Sequence, residues 1–362
     1  MVKAVIATLH FYNNFGSVLQ AYALRRTLQK LGAEKADILP YRPALPEYQY
    51  FQEARLQQQY REKCRKFQEF RRRHLGMEQE TDDSLDDEEK LSRSLGKYDV
   101  CIVGSDIVWG KEFSGLDPVY FLKCASPDSS RISYAASVIL DQLGYTEADA
   151  LFAEYLPDFD AVSVREISAV QSIQRFTKKK VSAVLDPTLL LEAEDYDGLV
   201  LENDEMKSAP YLLAYFLTHD PAVVDYTNMM ARKLGLRVIH YFADYPGRVF
   251  PQNAGCFAFA GPGEFLGYVK NAACVFTNSF HGTCFSMIYR KPFYTYTAKR
   301  AMLSRVKDMV SGLGMENRFF TDFRDMTEVT GQIDYTKFGR KLEKARNESV
   351  SFLRNALYSN II

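Results

Sequence analysis

The sequence predicts an α/β protein of two Rossmann-like domains facing across a cleft, the GT-B-like arrangement. Three observations predict it. The chain has 362 residues, above the usual limit for a single hydrophobic core. Short β-rich runs alternate with stretches of helical spacing, the mark of parallel sheets covered by helices. A polar, acidic stretch without a strand signal, 192–208, divides the alternation in two. It separates an N-terminal α/β domain over 1–191 from a C-terminal one over 209–333, and leaves a helix over 334–362 that packs back on the first domain or lies beside the second.

The elements follow in order. Val2 to Leu9 is a first strand. Ser17 to Leu31 is a helix, with Val18, Leu19, Ala21, Tyr22, Leu24, Leu28 and Leu31 at helical spacing and Gly32 as its stop. Strands follow at Asp99–Val103, Arg131–Val138, Ala161–Val164 and Val181–Leu185, with a helix over Glu166–Gln174. The second half reads as strand Tyr211–Leu217, helix Pro221–Leu234, strand Arg237–Phe242, helix Pro262–Asn271, strand Cys274–Thr277, helix His281–Tyr289 and strand Pro292–Tyr296. A last helix covers about Asp334 to Leu357.

One segment breaks the pattern. Within an excursion over 51–90, Phe51 to His74 is a long polar helix with Arg55, Arg61, Lys63, Arg65, Lys66, Arg71, Arg72 and Arg73, and an acidic stretch, Glu78 to Lys90, follows it. A solvated helix with a compensating acidic loop is the plainer reading. A lid meeting an anionic substrate or a membrane surface is the sharper one.

Composition excludes several classes. Forty-seven per cent of residues are hydrophobic and 25% charged, so the chain is globular rather than disordered. Lys and Arg total 45 against 46 for Asp and Glu, a net charge of -1, which lacks the basic footprint of a nucleic-acid binder. No apolar run approaches the roughly 20 residues that span a bilayer. The N-terminus lacks the h-region and cleavage site of a signal peptide, so the cytoplasm is the expected compartment. Cys64, Cys101, Cys124, Cys256, Cys274 and Cys284 form no CxxC pair and no zinc-like cluster, and read as reduced thiols.

Five strand-end segments can carry chemistry. Asn14, Gly16 and Ser17 form a turn and helix cap whose amides either bind an anion or simply start the helix. Gly104-Ser105-Asp106 follows a buried strand, where open α/β sheets place ligands. Asp106 is there a candidate acid, base or hydroxyl ligand, and Trp109, the single tryptophan, either stacks on a sugar or packs in the core. Arg165 suits a carboxylate or phosphate through its bidentate fork, or pairs with its neighbour Glu166. Asp186-Pro187-Thr188 reads as a shaped interdomain turn. In Phe276-Thr277-Asn278-Ser279-Phe280-His281-Gly282, Ser279 and the Gly282 amide form a phosphate cradle, with His281 at the same turn.

These segments, in this order, resemble the polysaccharide pyruvyl transferase family. The resemblance runs from Asn14-Phe15-Gly16 with Gln20-Ala21-Tyr22-Ala23-Leu24, through Gly104-Ser105-Asp106 with Trp109 and Ser163-Val164-Arg165-Glu166, to Asp186-Pro187-Thr188 and Ser279-Phe280-His281-Gly282. It implies transfer of a pyruvyl group from phosphoenolpyruvate to a sugar of a cell-surface polysaccharide or its precursor as a ketal. No cofactor and no metal are implied. The partners are phosphoenolpyruvate and a sugar or lipid-linked saccharide, without nucleic acid, in the cytoplasm or at the inner membrane surface. His281, Asp106 and Glu166 are then the acid–base candidates, and Arg165, Ser279, Gly282, Asn14, Gly16, Ser17 and Trp109 the substrate contacts. Relatives commonly read Gly-Ser-Asp-Gln-Val-Trp-Asn, where this chain has Ile107 and Gly110 in place of Gln and Asn. A nucleotide-sugar glycosyltransferase and a non-catalytic sugar-binding protein are the alternatives.

Overall fold

The computed structural model describes residues 2–43, 54–77, 85, 87–144, 147–217, 220–242, 259–297, 300–322, 325 and 333–359. Cys256 and most of the acidic stretch 78–90 lie outside them. The first sheet holds β1 (Lys3–Ala7), β2 (Lys35–Ile38), β3 (Val100–Val103), β4 (Ser130–Ala136), β5 (Ala161–Val164) and β6 (Val181–Ala183), in the order β2-β1-β3-β4-β5-β6. The second holds β7 (Tyr211–Phe216), β8 (Arg237–Phe242), β9 (Cys274–Thr277), β10 (Phe293–Tyr296) and β11 (Phe319–Phe320), in the order β11-β10-β9-β7-β8. Every pairing among the described residues is parallel. Helices therefore cover both faces, and central strands such as β3 and β7 are buried along their whole length. The strand order reverses at β1/β3 and at β7/β9, the two crevices where such sheets bind ligands.

Sequence and structure differ mainly at the margins. The edge strand β2 is diluted by Lys35 and Asp37, and β11 is only two residues long, so neither shows as a strand in the sequence. The tail of the acidic stretch is a helix, Glu88–Leu95, capped by Asp87 and anchored by buried Leu91 and Leu95. The stretch 192–208 contains two short helices, Glu194–Asp197 and Asp204–Ser208.

The two halves share one core. Val2, Ile6 and Leu24 of the first half belong to the same apolar cluster as Leu213, Phe265 and Phe285 of the second. Phe15 is the joint. Its ring stacks on Phe265 at 4.5 Å and on Phe67 at 5.6 Å, and tilts against Tyr215 at 6.1 Å. The last helix, Tyr335–Tyr358, packs on the first half: Ser349 Oγ accepts from the Leu185 amide, the Tyr358 hydroxyl donates to the Leu31 carbonyl, and Phe352 meets Tyr134.

The polar excursion is a buttress. Helix Ala54–Phe70 continues into a π-helical turn over Arg71–Leu75. Arg71 is buried and donates to the carbonyls of His10, Phe11 and Tyr12 and to Asn13 Oδ1, so it moulds the loop after β1. Lys66 pairs with Glu264 of the second half. Arg65, Arg72 and Arg73 pair with Glu62 and Glu69 on their own helical stretch, which neutralises much of the basic face. Among the described residues no helix is long and apolar enough to cross a membrane.

Candidate active site

The ends of β1, β3, β4, β5 and β6 meet the end of β9 at the junction of the halves. Helix Phe15–Lys30 starts after β1. Asn14 is its N-cap, and Asn14 Oδ1 accepts from the Gly16 and Ser17 amides at 2.9 and 3.3 Å. Helix Phe280–Ile288 starts after β9. Its cap is Ser279, whose Oγ accepts from the Gly282 amide at 3.2 Å. Both positive helix ends therefore reach the junction, with their caps filled.

Gly16 and His281 are in contact. A Cβ added at Gly16 would lie 1.9 Å from His281 Nδ1 and 2.5 Å from its Cγ. Only glycine lets the imidazole lie against this first helical turn. On the other side of the turn, Ser17 Oγ donates to Asp106 Oδ2 at 2.6 Å. Asp106 is held at φ 68°, the left-handed region that Asp tolerates better than most residues, and its carbonyl accepts from the Ser137 amide. It is partly exposed, unlike the other carboxylates here. His281 and Asp106 thus flank Gly16–Ser17.

Asp186, read from the sequence as a turn residue, is the centre of the buried network. Its Oδ1 accepts from the Thr188 amide and hydroxyl at 3.0 and 2.7 Å. Its Oδ2 accepts from Arg165 Nη1 at 2.9 Å and from Ser105 Oγ at 3.2 Å. His281 Nε2 lies 3.4 Å from the same oxygen, at ion-pair distance but without the alignment of a formed hydrogen bond. Burial would raise the pKa of this carboxyl. The neighbouring His281, then the charge of Arg165 and the Thr188 amide, outweigh it and hold the carboxyl well below the usual range. The only signal in the sequence was an Asp at a strand end locked by Pro187.

The network has an expected acid signature. A carboxyl whose pKa is depressed on folding adds stability above its unfolded pKa of about 3.9, and that stability is lost as pH falls through the lower folded value. Asp186→Asn should cost about 3–5 kcal/mol at pH 7, because it leaves the Arg165 charge with one partner fewer in a buried site. Urea unfolding at pH 7 and in steps below pH 4 should show this gap narrowing with acid. A gap independent of pH would remove Asp186 from the acid-labile groups.

Several sequence expectations need correction. Arg165 does not present an open fork: its side chain is 3% exposed, Nη1 is on Asp186, Nε is on Glu166 at 3.3 Å, and its guanidinium lies 4.1 Å over the Phe280 ring. Burial opposes its charge, but Glu166, Asp186 and Asp106 outweigh that and hold its pKa above the ordinary value. Glu166 is no free acid or base. Its oxygens accept from Ser137 Oγ at 2.6 Å, the Val138 amide and Arg165, in a buried site. Trp109 is core: it is 1% exposed, donates from Nε1 to the Tyr120 carbonyl and packs on Phe121 and Phe152. The Gly282, Gly16 and Ser17 amides and the Asn14 and Ser279 side chains serve helix caps rather than an open anion cradle. His10, beside this loop, is fully buried. Burial, then the Arg71 charge, push its pKa down to about 3, so it is neutral and takes no part in proton transfer near neutral pH.

Two parallel α/β sheets whose carboxyl ends meet at one junction define a GT-B-like two-domain protein. The pattern of the polysaccharide pyruvyl transferase family matches residues 14–299, and the chain belongs to that family. No curated protein matches it. Among solved structures it is similar to the UDP-GlcNAc 2-epimerase of Neisseria meningitidis bound to UDP-GlcNAc, with 9% identity, TM-score 0.53, and coverage of 99% of this chain and 98% of that one. It is also similar to S. aureus MnaA with UDP, with 10% identity, TM-score 0.51, and coverage of 100% and 98%. At such identities the likeness is one of fold.

Ile107 and Gly110 form one packing unit. A Cβ at Gly110 would lie 2.5 Å from Ile107 Cγ2 and 3.0 Å from Ile139 Cδ1. The branched methyl of Ile107 occupies the space that a side chain at 110 would need. Gly110→Asn alone should cost about 1–3 kcal/mol by overpacking. Combined with Ile107→Gln, which lacks the γ2 methyl, the cost should fall by more than about 0.5 kcal/mol, a coupling that a double-mutant cycle in urea measures.

Proposed function

We propose that the protein transfers a pyruvyl group from phosphoenolpyruvate to two hydroxyls of a saccharide, forming a ketal, in the cytoplasm on a polysaccharide precursor. The observation that carries this reading is the pair His281 and Asp106 on the two sides of the Gly16–Ser17 turn. Family membership supports it. The reaction needs two proton-handling groups beside a site that favours anions. The two helix N-termini supply positive potential for a carboxylate and a phosphate.

The balance of protons defines the tasks. Carbon C3 of the donor gains one proton and becomes a methyl group, while C2 becomes oxocarbenium-like. One acceptor hydroxyl adds to C2 and loses its proton. The second hydroxyl adds as the C2–O bond to phosphate breaks, and the electron pair leaves with phosphate. Two protons leave the hydroxyls; one equivalent is in the methyl group and the other on released phosphate. His281 and Asp106 divide this traffic, and Arg165 acts by holding Asp186 and Phe280 in place.

The test is ligand-dependent stabilisation with phosphoenolpyruvate against UDP- and GDP-sugars, followed by turnover with saccharide acceptors. Phosphoenolpyruvate should raise the melting temperature by mass action, and turnover should release phosphate with a new ketal methyl signal. Stabilisation by a nucleotide sugar alone would replace this reading with glycosyl transfer.

A further inference from the structure

We propose that Asp186 is a positioning residue that keeps the proton of neutral His281 on Nε2, so that Nδ1, on the Gly16 side, takes the proton from an acceptor hydroxyl. This rests on the pyruvyl-transfer reading for the reaction, but the tautomer itself does not. Asp186 is 2% exposed and its side chain is fully enclosed, so it cannot touch a substrate. It can act only through its neighbours. Of these, Thr188 and Ser105 donate hydrogen bonds and Arg165 carries a fixed charge. Of these neighbours only His281 has a ring nitrogen that can both take up and give back a proton.

The geometry sets which nitrogen carries it. Asp186 Oδ2 is an acceptor and faces Nε2 at 3.4 Å. Even without full alignment, a lone pair on Nε2 would be repelled by the carboxylate oxygen 3.4 Å away, whereas an N–H there is attracted to it. The reversed ring would put a carbon against that oxygen. Contacts of this kind are often long before substrate closes the site. Nε2 is shielded from solvent, so the residual exposure of the ring lies on its other atoms. The ring is held on two more sides: Gly16 lies against Nδ1, and Phe280, the residue before it, is pinned under the Arg165 guanidinium. With the proton on Nε2, Nδ1 keeps its lone pair and is the base. The hydroxyl O–H breaks, its proton passes to Nδ1, its oxygen bonds C2 of the donor, and the imidazolium then returns that proton to the departing phosphate. The other pair of transfers falls to the Asp106 side of the turn: its carboxyl gives a proton to C3 and takes back the proton lost by the second hydroxyl.

The experiment uses the full chain labelled with 15N-histidine. Ring correlations of the five histidines are recorded at a pH where the rings are neutral, and the His281 signals are assigned by their loss in His281→Gln. The expected result is a protonated Nε2 and an unprotonated Nδ1, with Asp186→Asn shifting the ring toward the other tautomer. In single turnover, Asp186→Asn should lose about 10²–10⁴-fold in rate with donor affinity kept, a split that general loss of structure would not give. A wild-type His281 protonated on Nδ1 overturns the proposal, and this holds even if Asp186→Asn does not fold. An unchanged tautomer in folded Asp186→Asn overturns it as well. Correct tautomers with no pyruvyl transfer by the wild type would instead remove the reaction assigned above and leave the Asp186–His281 pair standing.

Discussion

A His281→Gln protein is expected to fold, to bind phosphoenolpyruvate and to lose turnover by about 10²–10⁴-fold. The glutamine amide still offers an N–H donor toward Asp186, so the buried carboxylate keeps a neutral partner beside Arg165 and the Thr188 amide. It cannot exchange a proton near neutral pH, so the variant separates packing from proton transfer. If the imidazole only fills space against Gly16 and Phe280, the substitution should lower the melting temperature and leave the rate per folded molecule unchanged. Melting temperature, donor affinity and single-turnover rate on one preparation decide between these outcomes. Near-normal turnover by a folded variant would remove His281 from the reaction and leave Asp106 to carry both protons.

The sheet architecture was legible because buried parallel strands are continuous apolar runs. Val100–Val103 and Cys274–Thr277 can be little else once glycine and polar residues bound them. A helix start was legible where a cap side chain announces it, as at Asn14. The edge strand β2 was not, since Lys35 and Asp37 face outward and dilute its apolar signal. The site was legible as a set of strand ends but not as a wiring diagram. Arg165 looked like a receptor for a substrate anion because the sequence does not say which carboxylate a guanidinium meets, and the protein supplies its own in Asp186 and Glu166. Trp109 looked like a sugar platform because its burial depends on Phe121 and Phe152, residues distant in the chain from the strand that precedes it. Asp186 was undervalued for the same reason. Its partners Ser105, Arg165 and His281 come from three other loops, and only the fold assembles them.

Gly16→Ala tests the contact that joins the halves of the site, and its sign is the informative part. Alanine is the better helix former by up to about 1 kcal/mol, so with nothing nearby the substitution would stabilise helix Phe15–Lys30. Here the three atoms nearest to the new Cβ are His281 Nδ1, Cγ and Cε1, at 1.9, 2.5 and 2.7 Å. A methyl group cannot share that space, so either the ring leaves its place beside Asp186 or the helix start moves away with Phe15, which is stacked on Phe265. The expected result is a net loss of about 1–3 kcal/mol of stability. Turnover should fall about 10²-fold or more, because a displacement of roughly 1 Å at the reacting groups is enough for that. In a His281→Ala background the obstacle is gone, and Gly16→Ala should then be neutral or stabilising. A reversal of sign between the two backgrounds in urea unfolding identifies the imidazole as the cause. Destabilisation of equal size in both would place the conflict elsewhere in the turn and detach Gly16 from the positioning of His281.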